Sequence, residues 1–74
     1  MKLSELSKGS RAMIVSVNSS PLEVTLMQLG VVTGDIITLS DFAPFGGPLA
    51  MQVGGNKVAL RRSDAARIEV KMLT

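Results

Sequence analysis

The charged side chains of this sequence are eight lysines and arginines and six aspartates and glutamates. Histidine and cysteine are absent. Without them the chain lacks the commonest zinc and soft-metal ligands. A serine nucleophile would also have no imidazole to act as its base. The acids are scattered along the chain. Asp35, Asp41, Asp64 and Glu69 could meet only through the fold, and each also suits a solvated surface position. No Gly-x-x-x-x-Gly-Lys sequence is present to cradle a phosphate. These residue types lead us to expect no catalytic residues, no metal ligands and no cofactor. The chemistry left to the chain is recognition.

The stretch best built for recognition is Asp41-Phe42-Ala43-Pro44-Phe45-Gly46-Gly47-Pro48-Leu49. It holds two of the three prolines and both phenylalanines. Proline fixes φ and removes a backbone donor, so Pro44 and Pro48 do not suit an interior strand. Gly46-Gly47 between them supplies positive φ at little steric cost. The stretch reads as a stiff, closed loop with Phe45 at its tip. Either the ring folds back onto the core, or the loop presents it to a partner. On the second reading the candidate contacts are Pro44, Phe45, Gly46, Gly47 and Pro48, with Arg61 and Arg62 beside them.

Seventy-four residues predict one small domain, here residues 1–74, of marginal stability. Hydrophobic residues make up 46% and mean hydropathy is positive. This apolar excess predicts a second buried surface, met by another copy of the chain or by a different partner. No apolar run approaches a membrane span. The opening residues have an acid, Glu5, and no long apolar core, so they do not read as a signal peptide. A cytoplasmic protein is expected. The net charge is +2, with Lys57, Arg61, Arg62, Arg67 and Lys71 gathered in the last third. They read either as solvated strand positions or as a face for an acidic partner. Nucleic acid is not the expected partner, because stacking aromatics and a strong basic stripe are missing.

The elements that must hold the loop are mostly short strands. Leu3 and Leu6 suit one helical turn that tucks two leucines inward. Arg11 to Val17 is a β-branched strand, with Ala12-Met13-Ile14-Val15 able to cover both faces at its centre. Ser20-Pro21-Leu22-Glu23 reads as a capping box with Pro21 at the first helical position. That helix runs to Leu29, with Leu22, Leu26 and Leu29 on one face and Gly30 as a left-handed cap. Strands follow at Asp35 to Ser40, Leu49 to Val53, Lys57 to Arg61 and Arg67 to Lys71. Gly54-Gly55-Asn56 makes a hairpin turn. Ser63 caps a single helical turn over 63–66. Met72-Leu73-Thr74 is expected to be a loosely held end. Five short strands and one helix between the first two predict an all-β fold, a small SH3-like barrel, partly open.

The order Leu6-x-x-Gly9, Ile14, Leu26-x-x-Leu29-Gly30-x-x-x-Gly34, Pro44-Phe45-Gly46-Gly47-Pro48, Leu60-Arg61 and Ile68-x-Val70 resembles the ferrous iron transport protein A family, FeoA. The resemblance covers nearly the whole chain. It departs at Thr33, where members often carry proline, and at Thr25 and Leu26, where they often carry a basic residue. It implies a small cytoplasmic SH3-like accessory of bacterial ferrous iron uptake. The implied partner is the membrane transporter FeoB, through its cytoplasmic GTP-binding region. The same domain type occurs in metal-dependent repressors, which leaves a repressor-type interaction domain as an alternative, beside a small nucleic-acid-binding barrel.

Overall fold

The computed structural model describes residues 1–43 and 45–73. A 3₁₀ turn at Leu3–Glu5 precedes β1 (Arg11–Val17), α1 (Ser20–Gln28), β2 (Ile36–Phe42), β3 (Leu49–Val53), β4 (Asn56–Leu60), α2 (Arg62–Ala65) and β5 (Ile68–Met72). The strands form one antiparallel sheet in the order β4-β3-β2-β1-β5. The end strands β4 and β5 are consecutive in sequence and joined through α2, so the sheet curls into the SH3-like barrel.

Two bulges shape the curl. Between Ile14 and Ser16 the pairing of β1 with β5 gains one residue, Val15. Between Leu39 and Asp41 the pairing of β2 with β3 gains Ser40. An extra residue raises local twist and reverses which faces the following side chains take. Ile37 and Leu39 are buried in β2. Strict alternation would send Asp41 inward next. The bulge turns Asp41 out and brings Phe42 against the core, while Ser40 Oγ donates to Ala50 O at 3.0 Å. In β1, Val17 packs on the core for the same reason. Both faces of β1 are therefore not covered: Ala12 and Ile14 are buried, and Val15 is exposed.

Helix α1 starts one residue earlier than its capping pattern suggests. Ser19 is the N-cap, extended at φ −163° and ψ 117°, and its Oγ accepts from Leu22 N–H at 3.4 Å. Ser20 is already helical, so Glu23 falls one position too late for a capping box. The helix ends in a Schellman turn: Val31 N–H donates to Leu26 O at 2.8 Å and Gly30 N–H to Met27 O at 3.0 Å, with Gly30 at φ +83°. This turn takes Leu29 out of the helix. Leu29 is 49% exposed, and Val31 replaces it beside Leu22 and Leu26 in the core.

Other boundaries also differ from expectation: β4 begins and ends one residue earlier than Lys57 to Arg61, and β5 one residue later than Arg67 to Lys71. β2 runs two residues past Ser40. Arg61, not Ser63, occupies the N-cap of α2, with no side-chain cap bond. The C-terminal residues are held: Met72 closes β5, and Leu73 N–H donates to Arg11 O at 3.1 Å. Thr74 lies outside the described residues. On the other side of β5, Lys2 bridges Glu69. The core gathers Leu3 and Leu6 with residues from every strand, and among the described residues no polar side chain is buried.

Candidate functional site

The loop between β2 and β3 begins and ends on one hydrogen bond, Ala43 N–H to Pro48 O at 2.9 Å. Phe45 and Gly46 both take left-handed backbone, at φ +59° and +74°. Glycine adopts this at no cost, whereas a bulky residue there is strained. The ring gains no packing in return: Phe45 is fully exposed. The ring does not fold back onto the core. Strain held at an exposed residue is a recurring mark of functional loops.

Arg62 holds this loop to the barrel. Its Nε donates to Gly47 O at 3.1 Å and Nη2 reaches Ala43 O at 3.5 Å. Its guanidinium lies 4.8 Å from the centroid of the Phe42 ring. That distance is within cation–π range. Arg62 therefore touches both ends of the loop and the ring that the Ser40 bulge turned inward.

The site residues read from the sequence separate into two groups. Phe45, Gly46, Gly47 and Pro48 share the loop, with Arg62 as its strut; Pro44 lies outside the described residues. Arg61, the next residue back, faces elsewhere. Its side chain is 82% exposed and its Nε sits 3.4 Å from Asp64 Oδ2. Arg61 lines an open groove of about 340 Å³ between α1 and α2, with Pro21, Leu22, Asp64 and Arg67. Sequence reasoning named Arg67 as a basic residue but had no means of placing it beside Arg61. The chain distance of six residues is bridged by α2.

A second groove, of about 280 Å³, opens beside α1, where Met27 and Val32 stand over Val17 and Leu26. Met27, which lies off the leucine stripe of α1, is 57% exposed at this groove. No three His, Cys, Asp or Glu side chains among the described residues cluster as a metal site would require. No helix among the described residues is long and apolar enough to cross a membrane.

Comparison with known proteins supplies the family. The FeoA domain model matches residues 1–72. A Porphyromonas gingivalis Fe(2+) transport protein A/Fe(2+) transporter FeoB fusion protein is 37% identical over 75 residues, covering 100% of this chain. This chain spans 9% of that relative's length. The solution structure of FeoA from Chlorobium tepidum is 40% identical, with a TM-score of 0.93, over 100% of this chain and 71% of that one. The zinc complex of Stenotrophomonas maltophilia FeoA, described as a prokaryotic SH3 domain protein, is 36% identical, with a TM-score of 0.81, over 96% and 89%. Sequence order, an SH3-like sheet with one helix after its first strand, and the family match agree: the chain belongs to the FeoA domain family.

Proposed function

We propose that this protein is an accessory of ferrous iron uptake that works by binding, and that its partner is the cytoplasmic GTP-binding region of a FeoB-type transporter. The observation that carries this reading is the Porphyromonas gingivalis fusion, where a FeoA relative and FeoB share one chain. Fusion supplies a high effective concentration, which favours two parts that act on each other. For the S. maltophilia relative a role as a ferrous iron transport activating factor has been suggested. The contact surface is the loop of Phe45, Gly46, Gly47 and Pro48, with Arg62 as its support; Arg61 supplies a charged contact from the adjoining groove. An aromatic ring on a held loop loses little freedom on docking, and aromatic and arginine residues are over-represented at hot spots. The test is calorimetric binding of the full chain to the transporter's purified cytoplasmic region. Saturable binding that Phe45→Ala weakens supports the reading. Absence of binding by the well-folded native chain refutes it.

A further inference from the structure

We propose that the groove between α1 and α2 is a docking site for an acidic polypeptide segment of the partner, with Arg61 and Arg67 as its carboxylate-binding pair. This rests on the reading of the chain as a binding module, and it adds a second surface next to the Phe45 loop.

The groove has a floor and two cationic arms. Pro21 and Leu22 of α1 supply apolar surface. The hydroxyls nearby are engaged within their own helix: Ser19 Oγ accepts from Leu22 N–H, and Thr25 Oγ1 donates to Pro21 O at 3.0 Å. Ser19 keeps its own hydroxyl hydrogen, and the charged donors left for a ligand are the guanidiniums. Arg61 meets Asp64 through Nε alone, in an exposed pair. Exposed pairs of this kind hold their partners weakly, and the two terminal nitrogens of Arg61 remain available. Among the described residues no carboxylate lies within 4 Å of the Arg67 side chain. The Arg67 backbone is fixed from both sides: its N–H donates to Asp64 O at 3.0 Å, and its O accepts from Asn18 N–H at 2.8 Å. The arm is thus rooted between α2 and the start of α1.

This chemistry selects carboxylates on a chain. Guanidinium forks match carboxylate geometry, and the aliphatic part of a glutamate fits the Pro21–Leu22 floor. Phosphate-dense ligands are disfavoured by the low net charge of +2. No aromatic ring lines the groove for base stacking. Continuity favours a protein segment as well. Arg62, which follows Arg61 in sequence, ties the Phe45 loop to α2, the helix that also borders the groove.

The test uses the full chain, isotope-labelled, and a capped pentapeptide that alternates glutamate and leucine, followed by NMR. The expected result is a shift of the Arg61 and Arg67 Nε–H signals and of the Ser19 and Thr25 amides. The same peptide with glutamine for glutamate should leave them in place. The double variant Arg61→Gln/Arg67→Gln should weaken binding about tenfold or more, the scale of one lost charge-assisted contact. Both side chains are exposed, and unchanged amide dispersion checks the fold of the variant. Absence of shifts at millimolar peptide, equal response to the glutamine peptide, or full binding by the double variant overturns the proposal. So does tighter engagement of these signals by phosphatidylglycerol vesicles or a single-stranded oligonucleotide. The transporter is not used, so the two readings fail separately. Loss of the peptide response with Phe45-dependent transporter binding intact removes only the groove. A peptide response without any transporter binding removes only the assigned partner.

Discussion

Arg62 and Gly47 are fifteen residues apart, and the guanidinium of the first holds the carbonyl of the second at 3.1 Å. The bond joins the start of α2 to the loop that carries Phe45. It anchors the backbone of a loop whose fully exposed ring has no packing of its own.

Arg62→Lys should loosen the loop. An ammonium cannot reproduce the fork to Gly47 and Ala43 or lie flat on Phe42. The expected loss is about 1–2 kcal/mol of stability, on the scale of hydrogen bonds to charged groups, trimmed for partial exposure. Chemical denaturation measures it, and faster hydrogen exchange at the Ala43 amide locates it.

Phe45→Ala should leave stability within about 0.5 kcal/mol of the native chain, as for other exposed positions. Binding to the transporter's cytoplasmic region should weaken by about 1–2 kcal/mol, a hot-spot-sized loss. Phe45→Gly separates the ring from the backbone. It relieves the left-handed strain and should be more stable than Phe45→Ala by about 0.5–1 kcal/mol. Thermal unfolding of the pair decides this: equal melting temperatures would contradict the strain at position 45.

Ser19→Ala should destabilise by about 0.5–1 kcal/mol, the low part of the capping range, because the bond to Leu22 N–H is long. Ser20→Ala should change stability by less than about 0.5 kcal/mol. A urea titration that ranks Ser20 above Ser19 would place the cap elsewhere.

Leu26→Ala should cost about 2–5 kcal/mol, as for other large core residues cut to alanine. Leu29→Gln should cost less than about 0.5 kcal/mol, although a helical wheel puts both leucines on one face. Denaturant midpoints for the two variants test whether the Schellman turn, rather than the heptad-like spacing, decides which leucine is buried.

The elements most visible in the sequence were those whose signals are local. The strand at Arg11–Val17 was read with its observed bounds, and the alternation of Leu49, Met51 and Val53 matches their burial. Gly30 and the Gly54-Gly55 pair all have positive φ, as turn chemistry requires. What was hidden depended on pairing between distant residues. Asp35 to Ser40 looked like the whole of the second strand because a period of two cannot continue through Asp41 and Phe42. Only the partner strand reveals that Ser40 is an extra residue. The same holds for the site. Phe45 on a Pro-Gly loop was legible from composition. The division of labour between Arg61 and Arg62 was not, since adjacent residues with the same side chain differ here only in what the fold sets beside them.

The two bulges have a bearing on how this sheet finds its alignment. A strand that slides by two residues keeps its inward and outward pattern, so a uniformly alternating strand pays little for the error. β1 and β2 are not uniform. Each reverses its pattern at a single point, Val15 in one and Ser40 in the other. Pairing either strand without its extra residue would flip every side chain beyond that point and would drive Ser16 or Asp41 toward the apolar interior. Each bulge therefore acts as an index mark. It makes the misaligned sheet costly at one identifiable residue, and so the short strands of a small barrel pair in one way.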